Sequence, residues 1–93
     1  RIPFGEEISS KRLKQIALAE EYIINQGFSK VRVRSQGLSA RIELPANEIN
    51  NFLKIIERNQ LIEYFLSLGF HSISLDLEGL ISGKLTRDIK KTT

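Results

Sequence analysis

The chain has 93 residues, a formal net charge of +3, no cysteine and a single histidine, His71. That length holds one domain with a small core, and without cysteine there is no disulfide, thiolate nucleophile or Cys-type zinc site within it. No run approaches the ~20 apolar residues that span a bilayer, no signal-peptide pattern is present, a lone histidine excludes a His-pair metal site in one copy, and so small a basic excess permits anion binding without demanding nucleic acid.

Residues 1–8, RIPFGEEI, read as an extended connector: Pro3 disfavours helix at Ile2, Gly5 permits a turn, and Phe4 offers one apolar anchor. A chain that starts at Arg1 rather than Met reads as a fragment of a longer protein. A first helix is predicted over 9–26, with Ser9 as N-cap, Ile8 and Leu13 in the positions of a hydrophobic staple, and Gly27 as the left-handed residue that ends it. Its apolar face is predicted to be Leu13, Ile16, Ala17, Ile23 and Ile24. At about 100° per residue Glu20 projects into the middle of that stripe. A carboxylate there needs a rim salt bridge, for instance to an arginine of the sheet, or else a bound metal or ligand.

Residues 31–44, VRVRSQGLSARIEL, read as a β-hairpin with two unlike faces. Val31, Val33, Ile42 and Leu44 alternate with Arg32, Arg34, Arg41 and Glu43, and alternation on a strand sends the two sets to opposite sides. Pro45 ends the second strand. A helical region follows over 47–68, in which Ile49, Phe52, Leu53 and Ile56, and then Leu61, Ile62, Phe65 and Leu66, recur at helical spacing. A break is predicted near Arg58–Asn59 with Asn59 as a fresh N-cap, and Gly69 closes the region. The third strand is predicted over 72–77, with Ile73, Leu75 and Leu77 inward and Ser72, Ser74 and Asp76 outward. Residues 86–93 read as a frayed basic tail.

A short repeat is visible: residues 27–37, GFSKVRVRSQG, align without gaps on residues 69–79, GFHSISLDLEG. Each unit is Gly-Phe, two residues, an alternating strand and Gly. The repeat implies two related αβ halves and predicts an α+β fold of order αββαβ. This is a three-stranded sheet with helices packed on one face, a truncated ferredoxin-like arrangement whose first strand is missing or supplied by the connector. The domain is predicted over 9–85. The open face would carry Arg32, Arg34, Arg41, Glu43, Ser74 and Asp76, with the second half acidic where the first is basic.

Two arginines at i, i+2 on one strand present adjacent guanidinium forks that suit a phosphate or carboxylate; cross-strand pairing with a glutamate is the alternative use. An RNA-binding sheet would display aromatics on that face, and none is predicted there. His71, Ser72, Ser74 and Asp76 lack anything to orient them as a catalytic set. Ser82–Lys84 is not a phosphate-binding loop, because the GxxxxGK[ST] spacing is absent.

Taken together, RIPFGEEI, GFxxVRVR, ARIELP, LGF and DLEG followed by SG resemble the C-terminal domain of the ATP-dependent sacrificial sulfur transferases of the PP-loop ATP-pyrophosphatase superfamily. The resemblance runs from Arg1 to about Leu85. It implies a missing N-terminal nucleotide-binding domain that uses ATP and Mg to adenylylate a substrate carboxylate, and sulfur transfer toward a nickel-pincer cofactor. It also implies a cytoplasmic homo-oligomer, with this fragment not catalytic alone. By motif it assigns Arg1, Arg32 and Arg34 to anion or substrate binding and Glu20 and Glu43 to a divalent metal. Ser35-Gln36-Gly37-Leu38, Asn51, Leu80 and Ile81 depart from the family pattern. The competing expectation is a protein-interaction or RNA-tethering accessory domain of a different PP-loop enzyme.

Overall fold

In the computed structural model the described residues are 10–80. Arg1, the connector, Ser9, Ser82–Lys84 and the basic tail lie outside them. The first helix, α1 (Ser10–Ile24), is followed by the hairpin β1 (Arg32–Gln36) and β2 (Ser39–Glu43), then by a 3-10 turn, α2 (Ile49–Ile55), α3 (Arg58–Leu68) and β3 (Ser72–Leu75). The sheet order is β1-β2-β3, with β1 antiparallel and β3 parallel to β2. This is the expected α+β, αββαβ arrangement. β2 and β3 pair directly, so no strand lies between them.

One sheet face is apolar and covered. Val33, Ala40 and Ile42, with Val31 and Leu44 at the strand ends, join Ala19, Ile23, Phe28, Ile49, Phe52, Leu61, Phe65 and Phe70 in the core. α1 packs on β1 and α3, and α3 packs on β3. No helix among the described residues is long and apolar enough to cross a membrane.

The repeat is structural. α1 and α3 are each followed by a left-handed glycine, Gly27 with φ 108° and Gly69 with φ 114°, and then by a buried phenylalanine. At α3 the Gly69 amide donates to the Leu66 carbonyl and the Phe70 amide to the Phe65 carbonyl. That is a Schellman ending, completed by the ring contact of Phe70 with Phe65 at 5.9 Å between centroids. A side chain satisfies one more orphan carbonyl here: Gln15 of α1 donates to Leu68 O at 2.6 Å. Gln15→Ala is therefore expected to cost about 1 kcal/mol, read as a lower midpoint in urea with an unchanged denaturant slope.

Four expectations are corrected. α1 ends at Ile24 rather than Gln26, with a tight turn through Gln26 and Gly27. Its buried stripe is narrower than predicted and centred on Ala19 and Ile23; Leu13 is 56% exposed and Ile24 is exposed too. The break in the second helical region falls at Ile56–Glu57, where Ile56 is extended (ψ 136°), and Glu57 rather than Asn59 precedes α3. The third strand stops at Leu75, so Leu77 is 81% exposed in the turn beyond it.

Candidate functional site

The uncovered face of the sheet is built by alternation alone. β1 contributes Arg32, Arg34 and Gln36, β2 contributes Ser39, Arg41 and Glu43, and β3 contributes Ser72 and Ser74, with Asp76 just past its end. The two-residue turn Gly37–Leu38 sets the register: Arg34 stands opposite Arg41 and Arg32 opposite Glu43.

Like charges directly opposite each other are unfavourable, and here a carboxylate lies between them. Arg34 Nε donates to Glu43 Oε1 at 3.1 Å. Arg41 donates to Glu43 Oε2 from Nε at 3.1 Å and approaches it with a terminal nitrogen at 3.0 Å. Glu43 is only 5% exposed although it lies on the open face, because the two arginine side chains cover it. They themselves remain 51% and 41% exposed. Arg41 Nε also lies 3.9 Å from Asp76 Oδ2, which carries the ladder to the third strand. Arg34 meets Glu43 through Nε, leaving its terminal amino groups for another acceptor. Arg32 is exposed and has no ion-pair partner among the described residues.

The site residues expected from the sequence are thus partly brought together. Arg32, Arg34 and Glu43 share one face. Arg1 is outside the described residues. Glu20 does not join the open-face ladder: its Oε2 accepts the backbone amide of Val33 at 2.9 Å. The expected rim partner for Glu20, an arginine of the sheet, is replaced by a main-chain donor. Among the described residues no group of three or more His, Asp or Glu gathers, and Glu43 and Glu20 are engaged by separate donors. Arg41 shares this face with Arg32 and Arg34: alternation put it there, and the cross-strand register sets it opposite Arg34 and beside Glu43.

The open face carries no aromatic among the described residues. Phe28 packs edge-on against Phe52 at 5.3 Å, and Tyr22 stacks on Tyr64 at 5.0 Å between α1 and α3. The DLEG stretch has an architectural role. Asp76 Oδ1 accepts the Glu78 amide at 3.0 Å, its carbonyl accepts the Gly79 amide, and Leu80 N–H returns to Leu44 O at 2.7 Å.

No family model matches the chain. It is 43% identical over 91 residues, 98% of its length, to an uncharacterized protein of Synechocystis sp.. It is 38% identical over 92 residues, again 98% of its length, to the pyridinium-3,5-bisthiocarboxylic acid mononucleotide synthase of Lactiplantibacillus plantarum. The chain spans 34% and 32% of those two relatives, about a third of each. Identity of this extent along nearly the whole chain marks it as a relative of one segment of that synthase.

Proposed function

We propose that this chain is the C-terminal domain of an ATP-dependent sulfur transferase of the PP-loop type, and that its open sheet face supplies the cationic half of an anion site completed by a nucleotide-binding domain. The observation that carries the reading is the arginine arrangement: three arginines on two adjacent strands, with Arg34 and Arg41 held by one buried carboxylate and Arg32 without an ion-pair partner among the described residues. Planar forks fixed on a sheet bind tetrahedral or planar oxyanions bidentately with little reorganisation.

The relative's name supports the chemical class. Making a thiocarboxylic acid from a carboxylate replaces oxygen by sulfur, and carboxylate oxygen is a poor leaving group. Adenylylation by ATP corrects this: the carboxylate attacks the α-phosphorus and pyrophosphate leaves. A sulfur nucleophile then displaces AMP. Both leaving groups are phosphate anions, the species this face suits. On this reading the domain positions and neutralises such an anion without itself supplying a nucleophile, and ATP and Mg are held by the rest of the enzyme. Homo-oligomerisation belongs to the same proposal.

The test is a pyrophosphate titration of the 93-residue chain, followed by amide and arginine Nε resonances. Shifts are expected to concentrate on residues 32–34 and 41–43, and the Arg32→Ala/Arg34→Ala double variant is expected to bind at least about tenfold more weakly. Resonances that stay still to tens of millimolar pyrophosphate would rule out anion binding by this domain alone, and a double variant that binds as well as the wild type would sink the assignment to these arginines.

A further inference from the structure

Among the described residues β1 is an edge strand, with β2 on one side and no strand on the other. The outward amides of an edge strand are ordinarily left to water or to a foreign strand. Here α1 supplies partners for this one. Glu20 accepts the Val33 amide at 2.9 Å, and Arg12 donates to Ser35 Oγ and to the Gly37 carbonyl. A helix side chain thus takes one outward amide of this edge, while Arg12 holds a strand hydroxyl and the turn beyond it.

The position of the Glu20 contact is the informative part. Val33 is the residue between Arg32 and Arg34, and its own side chain is buried in the core. The amide that Glu20 holds belongs to the peptide unit that joins Arg32 to Val33, one residue before Arg34 on the same strand. Glu20 sits on the packed side of α1, beside Ala19 and Ile23, which are fully buried. A half-buried carboxylate needs a donor, and a charged acceptor on a backbone amide makes about twice as strong a hydrogen bond as a neutral one.

We propose that Glu20 is a positioning residue for the anion-binding arginines. It clamps the β1 backbone at Val33 so that Arg32 and Arg34 leave the strand at fixed angles, and it takes no direct part in holding the anion or a metal. The inference rests on the proposed anion site but has a consequence independent of it, because the clamp exists without ligand. Glu20→Gln keeps a side-chain carbonyl that can accept the Val33 amide, whereas Glu20→Ala removes the acceptor. A metal ligand would be lost in both.

The experiment compares the wild type with Glu20→Ala, Glu20→Gln and Phe52→Leu, the last a change to a buried core side chain that reads the effect of lost stability by itself. Amide exchange at Val33 is measured without ligand, and pyrophosphate affinity by titration. Glu20→Ala is expected to speed Val33 exchange at least about tenfold and to weaken pyrophosphate binding about tenfold, with Glu20→Gln within about threefold of wild type on both. Phe52→Leu is expected to leave the affinity unchanged. The proposal is overturned if Val33 stays protected in Glu20→Ala, if pyrophosphate affinity is unchanged in that variant, or if Glu20→Gln loses binding while Val33 remains protected. A wild-type chain that binds no pyrophosphate overturns the anion site instead, and the ligand-free exchange at Val33 then decides the clamp alone.

Discussion

Replacing Gly79 by alanine is expected to lower the thermal midpoint by about 15 °C, the equivalent of about 3 kcal/mol in a domain of this size. Two penalties combine. Gly79 has φ 88°, a backbone region that costs an L-residue about 1–2 kcal/mol. An added Cβ would also lie 2.7 Å from Leu44 O and 3.0 Å from Ala46 N. Those are main-chain atoms at the corner where β2 passes into the 3-10 turn, so no side chain can swing aside. Relief would have to shift the corner and strain the bond from Leu80 N–H to Leu44 O.

Gly37 provides the control. Its φ is 58° and an added Cβ would meet nothing within 4 Å, so Gly37→Ala carries the conformational term alone, about 1 kcal/mol. Equal losses for the two variants would show that the close approach at Gly79 contributes nothing. For a protein with total stability of about 5–9 kcal/mol, the loss at Gly79 removes between about a third and more than half of the margin.

Which features were legible in the sequence follows from how local each is. The hairpin, both of its faces and the repeat were readable because alternation, turn residues and glycine placement are properties of a few adjacent residues. The stripe of α1 was misjudged because apolar count stood in for contact. Ala19 is fully buried but small, so it added little to the pattern, whereas Leu13 and Ile24 are large and lie at the margin of what a three-stranded sheet can cover. The break before α3 came two residues early because Ile56 adopts an extended conformation, which places its side chain beside Phe52 and Leu61 in an apolar groove of about 310 Å³. No local signal marks that packing choice.

The candidate site divides along the same line. Arg32, Arg34 and Glu43 were readable as neighbours on one face. Counting outward from the Gly37–Leu38 turn would also have paired Arg34 with Arg41, and so added Arg41 to the set. The partner of Glu20 was beyond such counting. A helix side chain meeting an edge amide depends on where α1 crosses β1, which is settled by packing across the whole core.

Removing Glu43 is expected to destabilise the fold and tighten anion binding together. Glu43→Ala takes away three short contacts from two guanidinium groups and leaves Arg34 and Arg41 opposite each other with nothing between them. Breaking a fully buried pair costs about 3–5 kcal/mol, but both arginines are about half exposed and can turn to water, which reduces the expected loss to about 2 kcal/mol. Glu43→Gln retains one acceptor and is expected to lose about 1 kcal/mol. Binding moves the other way because Glu43 is an internal anion that occupies the donors an external one would use. Without it the face gains one unit of positive charge and frees two guanidinium groups, so pyrophosphate affinity should rise about threefold to tenfold at low salt and the gain should shrink toward about 0.5 M salt. Paired thermal melts and pyrophosphate titrations of the three proteins check both halves. Weaker binding in Glu43→Ala would mean that the carboxylate matters more for aiming the arginines than as their competitor. The site would then depend on pre-orientation at two points, Glu43 on the open face and Val33 at the edge.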